Sequence, residues 1–137
     1  MGADADLIRR LTEEGFLKGD AGVVAELLAD DYVDHDPPPG VPGTKEGMLG
    51  LVEMISSGFS DVTLDLHDVV ETVDGRVVES WAMSGVHSGE AFGLPPSGQR
   101  SRVRGVEIHR CAGGKIVEHW GAVDMSDFFE KAMGGGG

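Results

Sequence analysis

The hydrophobic period of this chain changes once, near Phe59, and that change limits what it can fold into more than any other feature. Upstream, apolar residues recur every three to four positions, the spacing that lines one side of a helix. In "DADLIRRLTEEGFLKGD", Leu7, Ile8 and Leu11 share a face while Arg9, Arg10, Glu13 and Glu14 take the other, so a surface helix ending near Gly19 is predicted. Val23, Val24, Leu27 and Leu28 predict a second short helix within "AGVVAELLADDY". Met48, Leu51, Val52 and Ile55 predict a third, from about Thr44 to Phe59. Between them "DPPPGVPG" breaks regular structure, since proline donates no backbone hydrogen bond and restrains the residue before it.

Downstream the period is two. "DVTLDLHDVV" alternates Val62, Leu64 and Leu66 against Thr63, Asp65 and His67, "VDGR" signals a hairpin turn, and "VVESWAMSGVHSG" is the returning strand. After a longer loop at "GLPPSG", the strands "RSRVRGVEIHR" and "KIVEHWGAV" form a last hairpin around Ala112, Gly113 and Gly114. "DMSDFFEKAM" then closes as a short helix with Asp124 as its N-cap.

Helices first and then four long strands joined by hairpins predict an α+β domain: a curved antiparallel sheet with helices on one face and a cavity between the layers. The 137 residues suit one domain, expected over residues 1–133, with Gly134 to Gly137 as a mobile tail. Eleven basic against 24 acidic residues give a net charge of −13, which disfavours nucleic acid and anionic membrane surfaces as partners. No apolar run approaches the length of about 18 residues that a membrane-crossing helix needs. Cys111 is the single cysteine, so no intrachain disulfide or cysteine-based zinc cluster can form. The acidic, amphipathic "MGADADLIRR" lacks the pattern of a secretory signal, and a cytoplasmic setting is expected.

The last hairpin carries the most chemistry. A three-residue loop at Ala112 to Gly114 would set Glu107 directly across from His119, with Cβ atoms about 4.5 to 5.5 Å apart. A carboxylate at that distance can orient an imidazole and raise its basicity. The same pairing is compatible with an exposed or subunit-facing sheet surface. Trp120 points to the opposite face from His119, and Asp124 suits a helix cap. His35, between Asp34 and Asp36 at the start of the proline-rich loop, suits an acid or a pH-sensitive contact. Adjacent residues of an extended chain point to opposite sides, so Asp34, His35 and Asp36 make a poor ligand set, and no metal site is expected. There is no P-loop, dinucleotide-binding glycine fingerprint or nucleophile elbow, and Cys111 has no evident activating base. Catalysis, if present, is expected to be cofactor-free acid–base work in an apolar cavity.

The segments "LLADDYVDHDP", "SGVHSGEAFGLPPSGQR", "GVEIHR" and "GKIVEHWGAVD" resemble the SnoaL-like polyketide cyclase group of the nuclear transport factor 2-like superfamily, in order and over nearly the whole chain. The resemblance implies a cone of curved antiparallel sheet packed on three N-terminal helices, a pocket inside the cone, and a homodimer. It also implies an intramolecular aldol closure without metal or cofactor, run by an aspartate with histidines nearby. His35 matches a pocket histidine, and Glu107 or His109 falls where a second is expected. The aspartate normally follows the tryptophan of the last strand, as it also does in the similar limonene epoxide hydrolases. Here that position is Gly121, which would leave room for a larger ligand or a water molecule.

The expected catalytic residues are therefore His119, oriented by Glu107, as the base, and His35 as the acid. His109, Gly121, Trp120, Asp124 and Trp81 are expected to contact the substrate, a bulky, mostly apolar carbonyl compound. The alternative expectation is a non-catalytic protein that holds a small hydrophobic ligand and has lost the aspartate.

Overall fold

The computed structural model describes residues 2–135. Helix α1 (Ala3–Arg10) carries Asp4 and Asp6 in its first turn and Arg9 and Arg10 in its last, charges that complement the helix dipole. It continues as a wider π-helical segment, Leu11–Leu17, and ends before Gly19, whose φ of +71° is costly for any other residue. Helix α2 (Ala21–Leu27) is capped by Asp20, whose carboxylate accepts from the Val23 N–H at 3.1 Å. Thr44 caps α3 (Lys45–Gly58) in the same way through the Gly47 N–H, also at 3.1 Å. The strands are β1 (Leu28–Asp34), β2 (Phe59–Glu71), β3 (Arg76–His87), β4 (Arg100–Ala112) and β5 (Lys115–Asp124), followed by α4 (Ser126–Glu130) and a last turn to Gly135. Gly136 and Gly137, expected to be mobile, lie outside the described residues, as does Met1.

These elements form the expected α+β arrangement, with helices over one face of a curved, open five-stranded sheet in the order β1-β5-β4-β3-β2. Two expectations need correction. The stretch "LADDY", expected within the second helix, instead forms β1 together with Val33 and Asp34, parallel to β5. The sheet is thus mixed. Leu27 and Leu28 belong to different elements, and from Leu28 the backbone is extended, which lets β1 satisfy hydrogen-bonding groups along the free side of β5.

The second correction concerns the last hairpin. Its loop is the two-residue turn Gly113-Gly114, both with positive φ (59° and 78°), closed by Ala112 opposite Lys115. Val117 is then an extra residue, a bulge between the Cys111–Ile116 and Arg110–Glu118 pairs. Beyond it His109 faces His119, and Glu107 faces Gly121 rather than His119. The offset from the expected register is two residues, so every side chain keeps its face.

The main core lies where α1, α2 and α3 meet the sheet, and Ile8, Val24, Leu28, Val52 and Ile116 are essentially inaccessible there. A separate aromatic cluster closes the other end of the sheet, where Phe59, His87, Phe92, Phe128 and Phe129 pack, mostly edge to face, at ring-centroid distances of 5.0 to 6.2 Å.

Candidate active site

Between α3, the π-helical segment and the concave sheet face lies a cavity of about 280 Å³. Leu11, Phe16, Met48, Leu51 and Ile55 give it an apolar wall from the helical side. At one pole the sheet contributes Asp34, Glu79, Glu107, His109 and His119 instead. Strand alternation explains their convergence. Glu79 is in phase with the inward Val77, and His109 with Glu107, while register sets Glu79 across from Glu107 and His109 across from His119. Asp34, at the end of β1, is opposite His119 on its other side.

Two linked hydrogen-bonded groups result. In the first, His119 sits between two carboxylates, with Nδ1 2.7 Å from Asp34 Oδ1 and Nε2 3.0 Å from Glu107 Oε1. The other Glu107 oxygen accepts from Trp81 Nε1 at 2.8 Å. In the second, Thr12 of the π-helical segment donates to Glu79 Oε2 at 2.7 Å, and Glu79 Oε1 lies 3.0 Å from His109 Nε2. The two imidazoles are 5.0 Å apart. His109 is 2% exposed, and its Nδ1 is buried without a hydrogen-bond partner among the described residues.

The electrostatics follow from this packing. Burial works against a charge on His119, but hydrogen bonds to Asp34 and Glu107 and their charges outweigh it, and the pKa is pushed up to about 10. His119 is an imidazolium at neutral pH, with both N–H groups engaged. Burial also acts against a charged Glu107, yet the hydrogen bond from His119, the charges of His119 and His109 and the Trp81 N–H hold it below the ordinary carboxylate value. Burial, reinforced by Asp34 and Glu107, raises the Tyr32 pKa well above its usual range, so this unpartnered buried hydroxyl stays protonated. The Cys111 thiol is pushed up to about 12, first by burial, and is no nucleophile at neutral pH.

Glu107, His109 and His119 bring potential metal-ligating atoms within 4.8 Å of one another. A cation there would have to replace the His119 proton shared with Glu107.

The family model for SnoaL-like polyketide cyclases matches residues 6–131. The chain belongs to the SnoaL-like polyketide cyclase family. Among solved structures, IdmH from Streptomyces antibioticus, a candidate polyketide cyclase, is 34% identical with a TM-score of 0.75, over 93% of this chain and 96% of that one. TsrD from Streptomyces laurentii is 26% identical with a TM-score of 0.77, over 93% of this chain and 95% of that one. A SnoaL-like protein from Jannaschia sp. CCS1, at 23% identity, shares the fold with a TM-score of 0.79, over 96% of this chain and 92% of that one. Among proteins of curated function, none matches.

Against the SnoaL-like resemblance, the structure divides the expected site residues in two. Gly121 lies beside Glu107 without lining the cavity, whereas His119, Glu107, His109 and Trp81 line it. His35, Trp120 and Asp124 do not. His35 stacks on Trp120 at 4.9 Å and bonds Glu118 at 2.7 Å, with Arg76 4.7 Å over the indole, all on the opposite sheet face. One residue along β5 reverses the facing, so Trp120 cannot join His119 inside, and His35, just past the end of β1, goes with the indole it stacks on. Asp124 is exposed, accepts from the Ser126 N–H at 3.0 Å, and lies 3.9 Å from Arg104.

Gly121 also differs from its expected role. A Cβ there would fall 3.0 Å from His119 Nε2, 3.0 Å from the Val106 carbonyl oxygen and 3.2 Å from Glu107 Cγ. Glu107 and His119 already crowd the space that the missing side chain was thought to vacate. Sequence reasoning missed Glu79 and Thr12, and considered Asp34 only as a neighbour of His35 and a poor metal ligand. Glu79 carried a usable signal, a carboxylate in phase with the inward residues of a strand. Asp34 would have followed from recognising β1, and Thr12 had no signal beyond its place on a helix.

Proposed function

We propose that this SnoaL-like chain is an acid–base enzyme catalysing aldol-type cyclisation or isomerisation of a bulky, mostly apolar carbonyl compound, with Glu107 as the group that exchanges protons with the substrate. The observation carrying this reading is a carboxylate kept ionised inside an apolar cavity by an imidazolium on one oxygen and an indole N–H on the other. The roles first assigned within the pair are then exchanged. Both ring nitrogens of His119 are engaged and its proton is firmly held, so His119 acts as a fixed positive charge and Glu107 as the base.

The scheme requires only proton transfers. Glu107 takes a proton from the carbon next to a substrate carbonyl, and the His119 charge stabilises the enolate that forms. The enolate carbon attacks a second carbonyl of the same molecule, forming the ring bond, and the new alkoxide takes the proton back from Glu107. Apolar walls strengthen each electrostatic contribution by keeping water out. A well-placed acid–base group contributes roughly 10² to 10⁴ in rate.

A test that needs no knowledge of the natural substrate is exchange of the α-protons of 2-tetralone in D₂O, followed by NMR. The wild-type chain is expected to exceed the buffer rate, and Glu107→Gln to fall by about 10² or more. Wild-type exchange at the buffer rate, or an unaffected variant, would refute the scheme. A ligand-holding protein is the second reading, favoured by glycine at the position where relatives are expected to carry the aspartate. It predicts saturable binding of 2-tetralone without exchange.

A further inference from the structure

The cavity has two ends, and the titratable groups occupy one of them. Glu79 and Glu107 face each other across β3 and β4 at the charged pole, whereas Gly85 and Ser101 face each other at the opposite end, and all four line the cavity. Six residues separate the two pairs along each strand, about 20 Å at the usual rise per residue. The ring that closes the second end comes from Phe92, in the loop joining β3 to β4. It lines the cavity together with Phe59 and packs edge to face on Phe128 and Phe129, at centroid distances of 5.7 and 6.2 Å.

Backbone conformation sets this residue apart. Phe92 has a φ of +51°, and with Gly93 at +76° it makes a tight turn closed by hydrogen bonds of 3.1 and 2.9 Å between Ala91 and Leu94. A turn with two positive φ values favours glycine, asparagine or aspartate at both central positions, and a bulky side chain there is costly. Among the described residues the other non-glycine case is Asp61, a short polar residue of a type that tolerates the conformation. The surroundings hold the strained turn in place. The Ser88 and Gly89 N–H groups both donate to the Gly58 carbonyl at 3.0 Å, Ala91 is buried against that glycine, and the Phe92 N–H donates to Met54 Sδ at 3.2 Å. At the far side of the loop the His87 N–H donates to the Gln99 carbonyl at 2.9 Å, and the Gly98 N–H to the His87 carbonyl at 2.8 Å. With its backbone fastened in this way, the ring has no easy retreat from the cavity. Strain kept at a cavity wall by a firmly held loop points to a functional constraint.

We propose that Phe92 is a specificity-determining residue: its ring is the end stop of the cavity, and its strained turn fixes how long a rigid apolar molecule can be and still lie between that ring and the charged pole. This rests on the cavity assigned above as the ligand site but does not depend on Glu107 performing catalysis. It predicts selection by length along the strands, a property that the polar residues at the other end do not control.

The test uses two rigid carbonyl probes that differ by one collinear ring, 2-acetylnaphthalene and 2-acetylanthracene, in fluorescence titrations of the full chain at pH 7. The wild type is expected to bind the shorter probe more tightly. In Phe92→Ala the preference should move toward the longer probe by about 10-fold or more, because the added ring then meets apolar surface in place of a wall. Phe92→Gly should move it equally and, since glycine accepts the positive φ without strain, should unfold at a higher urea concentration than Phe92→Ala. Leu94→Ala, in the same turn but outside the cavity lining, should keep the wild-type preference, which separates loss of the ring from a general loosening of the loop. An unchanged preference in both Phe92 variants, an equal change in Leu94→Ala, a glycine variant less stable than the alanine one, or no binding of either probe to the wild type would each overturn the proposal. The 2-tetralone exchange is read separately, so a protein that selects by length without exchanging protons loses the catalytic reading alone.

Discussion

The molecule buries histidines at both ends of its sheet, and His87 at one end and His119 at the other are surrounded in opposite ways. His87, 1% exposed, lies among aromatic rings, 5.5 Å from Phe59 and 5.0 Å from Phe128. Its Nδ1 accepts the Ser97 N–H at 3.2 Å, which leaves the ring proton on Nε2, and Nε2 has no hydrogen-bond partner among the described residues. His119, 6% exposed, has a carboxylate on each nitrogen. Burial is nearly the same in both places, so burial alone does not decide what a histidine does. One ring fastens a loop to an apolar cluster, and the other holds a charge.

The contrast breaks most sharply if each end loses its central side chain. Phe128→Ala should cost about 3 to 5 kcal/mol through the cavity it leaves. His119→Ala should cost a similar 3 to 5 kcal/mol for a different reason, because it strands Asp34 and Glu107 without their shared cation. Urea denaturation against pH separates the causes. The folded-state pKa of His119 lies above its unfolded value of 6.5, so its stabilisation is complete below about pH 6.5 and is lost as pH rises through about 10. Glu107 is shifted downward, so its stabilisation is present above its unfolded value of 4.5 and is lost as pH falls through its folded pKa. The wild type and Phe128→Ala should both lose on the order of a few kcal/mol between pH 6.5 and 10. In His119→Ala that slope should be absent, and a slope that persisted would assign it to another group.

A smaller effect is expected from filling the space beside the pole. Gly121→Ala brings a methyl group to within 3.0 Å of a backbone carbonyl and the His119 ring, and should cost about 1 to 3 kcal/mol. A melting temperature at or above that of the wild type would mean that the pole yields easily. The smallest effect belongs outside the cone. His35→Ala removes an exposed contact to Glu118 and should change stability by at most about 1 kcal/mol, with 2-tetralone exchange unaltered. Slower exchange in that variant would bring His35 back into the chemistry.

These outcomes bear on what the sequence could disclose. The assumed hairpin put His119 and Glu107 on one face, and the face survived because the shorter turn and the extra residue Val117 together shift the register by two. Strand β1 was hidden because Leu27 and Leu28 extend the apolar spacing of the preceding helix, and nothing local marks where extended backbone begins. With β1 went Asp34, and with it the reason that His119 keeps its proton. The misplacement of His35 had the same origin. Once "DYVD" is taken as the end of a strand, Tyr32 and Asp34 share one side, and His35, just past the strand, packs on Trp120 of the other face. Hydrogen bonding at the pole could not be foreseen, because Thr12, Glu79 and His109 come from three elements that only tertiary packing brings together.

The irregularity at Val117 has a consequence for the whole design. Were β5 to run straight back from the Gly113-Gly114 turn, keeping the pairing of Ala112 with Lys115, Glu107 would stand opposite Trp120, and the indole would share its side of the sheet. One surplus amino acid shifts the count, so that the imidazole faces inward and the indole outward. The identity of the residue shown to a ligand is thus set by a spacer held out of the ladder, and drawing Val117 into regular pairing would exchange a proton-holding interior for an aromatic one.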